Sequence, residues 1–311
     1  MQDLYQIAGV SRQAAHKHNN YIMMQRTNLN SLIVEVDLLR AEHPGCGVEK
    51  MYDTLKPSWI GRDKFIDVFM ELGYRIKRKR NYTVTTKPSK TYYPNYIEGM
   101  TVTNINMIWQ SDITYYKVGD SFYYVVFIED VYSRKIVGYR VSNHMRAEAN
   151  KFALNMAFKL RTGDLVGLIH HSDRGSQYID AEYISTLTDK GLIISQGHKA
   201  QDNAYVERVN GIIKDEYLKY REIYTLSDLK REVRKAVINY NSKRIHRSLP
   251  AKQSPEQFEK QLITLNPEKR SIEKIYSKGN NIKKKDINPQ YKPKEISCQL
   301  VKKKVKSVNL I

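Results

Sequence analysis

The sequence predicts an α/β fold: a mixed sheet flanked by helices, with a small helical domain before it and a basic tail behind. Three observations lead there. Residues 30–72 repeat apolar side chains at helical spacing, residues 107–141 hold three strand-like runs in succession, and from residue 146 helical and strand-like segments alternate. Consecutive strands followed by such alternation give a sheet with both antiparallel and parallel neighbours.

The helical part comes first. An apolar pattern over residues 32–39 stops at the breaker His43-Pro44-Gly45, and two further short helices follow over 48–55 and 65–72, the last ended by Gly73. Two short helices across a tight turn make a helix-turn-helix-like, DNA-binding-like domain over residues 1–80, trailed by the basic run Lys77, Arg78, Lys79 and Arg80. Residues 81–104 are polar, contain Pro88 and Pro94, and read as a linker. Strands are expected over 107–116, 122–128 and 136–141, then a helix over 146–161 with Phe152, Met156 and Leu160 on one stripe. Next come a strand over 165–170, a helix over 181–188, a strand over 192–195, and helices over 203–220 and 226–240. This core runs over 105–263, and the lysine-rich remainder, 264–311, is expected to be a flexible tail.

Charge separates these parts. The net charge is +19, distributed as +5 over residues 1–104, zero over 105–225, +5 over 226–263 and +9 over 264–311. A neutral middle between basic flanks points to a polyanion held by the flanks, because each neutralised phosphate releases a counterion. Nucleic acid is the expected partner. No apolar run is long enough to span a bilayer, and the start is unlike a signal peptide, so a cytoplasmic protein with no membrane partner is expected. Two cysteines, Cys46 and Cys298, exclude a disulfide framework and a zinc cluster built on cysteine.

Three acids stand in unusual places. Asp112 lies inside a strand, where alternation puts Gln110, Asp112 and Thr114 on one face and Trp109, Ile113 and Tyr115 on the other. Asp173 ends an apolar strand at a glycine-containing turn, the place where open α/β sheets carry their sites. Glu207 opens the second turn of a helix whose N-cap is expected at Asp202, and Asn210, Gly211 and Lys214 share its face. Carboxylates brought together without a cation repel one another, so their convergence implies hard divalent ions with oxygen ligands. Such a pair of ions activates an attacking oxygen and stabilises the leaving one in phosphoryl transfer. His170 and His171 point to opposite faces of their strand and so do not form a metal cluster with His198. His171 is expected beside the site as a phosphate contact, with His170 packed.

Three runs carry a resemblance: Trp109-Gln110-Ser111-Asp112-Ile113-Thr114, His171-Ser172-Asp173-Arg174-Gly175-Ser176-Gln177-Tyr178, and Asp202-Asn203-Ala204-Tyr205-Val206-Glu207. Together they resemble the IS-three family of insertion-sequence transposases, second-frame product, whose catalytic domain is similar to retroviral integrases. The segment Tyr240-Asn241-Ser242-Lys243-Arg244-Ile245-His246-Arg247-Ser248-Leu249, with Pro255, looks like that domain's ending, and His43-Pro44-Gly45-Cys46-Gly47 like the start of its helical domain. The resemblance covers about residues 1–260 and implies a ribonuclease H-like mixed sheet flanked by helices. It implies a DDE transposase that cuts and joins DNA at element ends, with Asp112, Asp173 and Glu207 as catalytic metal ligands for two Mg2+ ions, Mn2+ substituting. Lys214 becomes the lysine that touches the element end, with Arg208, Asn210 and His171 as further DNA contacts.

Implied partners are element-end and target DNA, further copies of the chain on that DNA, and an upstream-frame helix-turn-helix product; the implied setting is the bacterial cytoplasm, at the nucleoid. Two departures stand out. The 33 residues between Asp173 and Glu207 fall slightly short of the family's usual interval, and Glu216 competes as the third acid, though without the Asp-Asn-Ala context. A catalytically silent, transposase-derived DNA-binding protein or repressor is the alternative; binding alone would not need the three acids.

Overall fold

Ser11 opens the first helix, its hydroxyl accepting from the Ala14 amide at 3.1 Å, and the helix α1 (Arg12–Glu42) then runs for 31 residues. It is far longer than the 32–39 expected. Its first turns are exposed almost throughout, so no core-facing stripe marks them, and only Leu32 and Val36 are buried. These two pack with Met51 of α2 (Val48–Leu55) and with Phe65 and Phe69 of α3 (Arg62–Glu71). The Arg40 guanidinium donates to the Tyr74 carbonyl at 3.0 Å and fastens the end of α1 to the segment after α3.

The computed structural model describes residues 9–76, 93–197 and 200–275, in two units divided after Arg78. The basic run Lys77, Arg78, Lys79 and Arg80 lies outside the described residues, as do His198 and everything after Ile275.

The second unit is built on a five-stranded sheet in the order β4-β3-β2-β5-β6: β2 (Ile108–Val118), β3 (Ser121–Asp130), β4 (Ile136–Ser142), β5 (Ile169–Ser172) and β6 (Ile193–Gln196). A two-residue strand, β1 (Thr101–Val102), precedes them. The first three strands form an antiparallel meander, because tight turns join them. β5 and β6 run parallel to β2, because helices cross between them.

Helices α4 (Ala147–Leu160) and α5 (Ala181–Asp189) cover one face through Trp109, Ile113, Val126, Leu154, Tyr183 and Leu187. Helices α6 (Ala204–Ile212) and α7 (Leu226–Ser242) cover the other through Val125, Phe127, Val206, Val209, Val233 and Val237. The helix expected over 203–220 is α6 continued by a π-helical stretch, Ile213–Tyr217, and a short 3-10 turn, Leu218–Tyr220.

The stripe Phe152, Met156 and Leu160 does not face the core; all three are at least 40% exposed. Helix α4 instead buries Ala149, Asn150, Ala153, Leu154 and Ala157. The cause is a close approach to β4, where a Cβ on Gly138 would lie 2.1 Å from the Ala153 carbonyl oxygen. Only small side chains fit there, and the large apolar ones are turned outward, where Phe152 lies under the Arg140 guanidinium at 4.4 Å. A methyl group at 138 has nowhere to go, since the atom it meets is backbone. Gly138→Ala should therefore lower unfolding stability by at least about 2–3 kcal/mol, read as a shifted denaturant midpoint with an unchanged slope.

The boundary expected at residue 264 is also displaced. Helix α8 (Pro255–Thr264), opened by a capping box between Ser254 and Gln257, buries Phe258 and Leu262. The chain then continues to a strand, β7 (Glu273–Lys274), antiparallel to β1. Residues 264–275 thus belong to the folded unit, with Ile275 buried beside Val102 and Ile97. A two-residue strand carries too little periodicity to be seen in sequence.

Candidate active site

The ladder between β2 and β5 is short. It pairs Ile108 through Ser111 with Ile169 through Ser172, and Ser111 faces Ser172 at its last rung. Asp112 and Asp173 are each the next residue, so the two carboxylates stand side by side where the sheet opens, on strands about 4.8 Å apart. Asp112 remains paired on its other side, to Phe127 of β3.

The turn after β5 is shaped around Asp173. Its Oδ1 accepts from the Gly175 amide at 3.0 Å, and its carbonyl accepts from Gln196 Nε2 at 3.3 Å. A Cβ on Gly175 would meet Asp173 Oδ1 at 3.0 Å and Gln177 Oε1 at 2.9 Å, so glycine is needed for crowding, not for its backbone angle. Tyr178, wholly buried, sets its hydroxyl 3.0 Å from Ser111 Oγ, beneath the strand that carries Asp112.

Helix α6 is pinned to the same strand. Gln110 Oε1 accepts from the Tyr205 amide at 3.1 Å and the Val206 amide at 3.4 Å, while Gln110 Nε2 donates to the Asp202 carbonyl at 3.1 Å. Asn203 Nδ2 donates to the Ser111 carbonyl at 3.0 Å. A glutamine from β2 thus satisfies helix-start amides that no side chain of the helix caps. Glu207 lies in the first turn so positioned, on an exposed face.

On its far side α6 is held by Tyr205, whose hydroxyl donates to Glu273 Oε1 at 2.6 Å and whose ring lies under the Arg134 guanidinium at 4.2 Å. Arg134 closes the arrangement with an ion pair to Glu273 at 2.9 Å.

The acids act on one another electrostatically. Burial first, then the charges of Asp173 and Glu207, push the Asp112 carboxyl up to about 8; a backbone hydrogen bond at Ile113 and the Lys214 ammonium oppose the rise. Glu207 is also raised, by burial and then by Asp173. Among the described residues no three His, Cys, Asp or Glu side chains are drawn close enough to hold a metal ion as they stand.

The DNA contacts expected from sequence divide. Arg208 is exposed on α6. Asn210 is buried and donates to Asp112 Oδ2 at 2.6 Å, so it orients a carboxylate and is not a surface contact. His171 is wholly buried, with Nδ1 2.9 Å from Ser195 Oγ, and ties β5 to β6. Its alternation with His170 was read correctly, but the face it occupies is covered. His170 packs as expected, Nε2 2.9 Å from the Tyr183 hydroxyl. Lys214 is half-buried, its Nζ 4.8 Å above the Tyr115 ring; burial lowers its pKa against the pull of Asp112 and Asp215.

Glu216, the competing acid, is engaged elsewhere. Arg244 grips it through Nε at 2.8 Å and Nη2 at 3.0 Å. Sequence reading missed this pair, along with Gln110, Asn203 and Tyr178 as supports. For Gln110, Asn203 and Tyr178 the only signal was their place inside the three motifs.

A five-stranded sheet with one reversed strand, an acid on its central strand, a second at the neighbouring strand's tip and a third on the following helix is the arrangement of the ribonuclease H-like polynucleotidyl transferases. Residues 103–200 and 191–253 each match the family described as "Integrase core domain".

A Shigella sonnei protein, "Insertion element IS600 uncharacterized 31 kDa protein", is 33% identical over 196 residues, covering 61% of this chain and 72% of that one. "Transposase for insertion sequence element IS904" of Lactococcus lactis is 34% identical over 158 residues, covering 50% and 62%. "Transposase InsF for insertion sequence IS3fB" of Escherichia coli is 33% identical over 164 residues, covering 50% and 54%. Among solved structures, the HTLV-2 integrase catalytic core, in complex with magnesium, is 24% identical with a TM-score of 0.40, covering 49% of this chain and 95% of that one. The chain belongs to the IS-three family of DDE transposases. Among the described residues no helix is long and apolar enough to cross a membrane.

Proposed function

We propose that Asp112, Asp173 and Glu207 are the catalytic residues with which this transposase cuts and joins DNA at the ends of its element. The observation that carries the reading is the placement of Asp112 and Asp173 one step beyond the shared rung Ser111–Ser172, with Glu207 on a helix capped by Gln110 of the same strand.

Three carboxylates and no nitrogen or sulfur ligand fit hard divalent cations, and a cation would offset the neighbouring carboxylate charges that, after burial, raise Asp112 and Glu207. Two Mg2+ ions, with Mn2+ as substitute, would supply Lewis acidity at the attacking and leaving oxygens. The match of residues 103–200 to the integrase core domain supports a divalent-metal dependence. Asp112 and Asp173 would hold the metals from the sheet, and Glu207 from the helix. Asn210 fixes the rotamer of Asp112, and Lys214 and Arg208 hold phosphates of the element end. Further copies of the chain assemble on paired ends and target DNA, with an upstream-frame helix-turn-helix product contributing end recognition, at the bacterial nucleoid.

The test is joining of a labelled element end to plasmid with Mg2+. Glu207→Gln should lower joining at least about 10³-fold, roughly 4 kcal/mol of transition-state stabilisation, with DNA binding kept. Glu216→Gln, assayed at a temperature where it is folded, should stay within about tenfold of wild type. The reverse ranking would move the third acid to Glu216.

A further inference from the structure

The β2–β3 hairpin continues past Asp112 with one edge open. From Asp112 to Val118, β2 pairs with β3, but its ladder with β5 has already ended at Ser111. Along this stretch four side chains touch in sequence. Lys214 Nζ lies 4.8 Å above the Tyr115 ring, and the Tyr115 and Phe122 rings meet edge-on at 5.6 Å. Lys117 Nζ lies 6.0 Å above the Phe122 ring. Phe122 is 49% exposed, and Lys117, its register partner, is exposed as well. Between residues 113 and 123 the single acid is Asp120, in the turn.

An aromatic ring left half in water at a hairpin tip contributes little to the core. This one is placed beside the Lys117 ammonium and the Tyr115 ring, on the sheet face opposite Asp112. It is linked to Asp112 round the open edge of β2 by Lys214, which lies over Tyr115 and feels the Asp112 charge. Together these groups have the composition of a single-strand platform: cations for phosphates and π faces for bases. A base within a duplex has both faces already stacked, so only an unpaired base is free to stack there. Phe122 lies level with Lys117, five residues beyond Asp112, or about 17 Å along the strand. That is on the order of five nucleotides at the 3.4 Å spacing of one strand, and fewer if the strand is extended.

We propose that this hairpin binds the unpaired DNA strand flanking the phosphate being cut, with a base stacked on Phe122 and phosphates held by Lys117 and Lys214. The proposal rests on the assignment of Asp112, Asp173 and Glu207 as the cutting site, and adds to it a path for the substrate.

The full-length chain is titrated by fluorescence anisotropy with two probes, a blunt duplex and the same duplex carrying an oligothymidine overhang, in Ca2+ to prevent turnover. Wild type should prefer the overhang at least about fivefold, and Phe122→Ala should remove that preference while keeping blunt-duplex affinity. Phe122→Leu, which keeps the apolar bulk, should behave as Phe122→Ala does; this separates stacking from packing. Lys117→Ala should reduce the salt slope of overhang binding by about one. A wild-type protein without overhang preference, or a Phe122→Ala protein that keeps it, overturns the proposal. Mg2+-dependent nicking of the blunt duplex, measured alongside with Asp112→Asn as control, reports on the cutting site independently, so failure of one reading is told apart from failure of the other.

Discussion

Asp112→Asn should inactivate strand joining and, in the same molecule, make the metal-free protein more stable in alkali. The Asp112 carboxyl ordinarily ionises near 3.8, and burial with two neighbouring acids pushes it up to about 8 in the fold. A raised acid stabilises the fold while it is protonated. That contribution is complete below about 3.8 and is lost progressively as pH rises through about 8, because the unfolded chain ionises freely and the folded one does not.

Asparagine copies the neutral acid at every pH and still accepts the hydrogen bond from Asn210. The variant and wild type should therefore melt alike in acid and diverge toward pH 8, by on the order of 3 kcal/mol after allowance for solvent screening at a half-buried group. Magnesium should close the gap by stabilising wild type alone. Equal melting of the two proteins at pH 9 without metal would show that Asp112 carries no such strain. A magnesium response in the variant would show that the ion binds elsewhere.

The second large effect is expected at Arg244, far from Asp112 in the chain. Its guanidinium, 8% exposed, holds both oxygens of Glu216, lies 5.7 Å from the Tyr240 ring and donates toward the carbonyl of Ile245 at 3.3 Å. Glu216 belongs to the π-helical stretch after α6, so this pair sets where that stretch lies against α7. Arg244→Met leaves Glu216 largely buried beside an apolar group. The cost of breaking such a pair from one side is about 3–5 kcal/mol, a melting temperature lower by roughly 10 °C in a domain of this size. Adding Glu216→Gln to Arg244→Met should recover a good part of the loss, since the stranded charge is then gone. If the double variant melts no higher than the single one, the guanidinium acts through packing and not through charge.

These two positions show what could be read without coordinates. The placement of Asp112 within a strand, Asp173 just past a strand end and Glu207 on a helix was legible because each sits in a short run of recognisable residue types, and the strand containing Asp112 shows its two faces by plain alternation. Arg244 and Glu216 lie 28 residues apart and meet only after two helices have packed, so neither helical spacing nor motif contains their pairing. The interior face of α4 was misread for a related reason. Hydrophobic stripes record which side chains are large, whereas the contact with Gly138 selects those that are small. At His171 the alternation holds, but Ser195 and Gly197, which lie against its ring, come from the neighbouring strand and the residue after it, which local patterns do not locate. The π-helical stretch leaves no trace at all in the apolar spacing.

The pairing of β1 with β7 places Thr101 against Lys274, so the catalytic unit's incoming and outgoing chain lie side by side and antiparallel. Tension applied across this ribbon would peel it apart rung by rung, beginning at the Ile275 amide that donates to the Met100 carbonyl at 2.8 Å. The second rung is Val102 with Glu273, and Glu273 is the residue that steadies Tyr205 two positions before Glu207. The outgoing chain therefore pulls, through Glu273, on the seat of helix α6, whereas the incoming chain is first tied to β6 of the five-stranded sheet by the Tyr93 amide to Gln196 Oε1 and the Tyr96 amide to Ser195 Oγ.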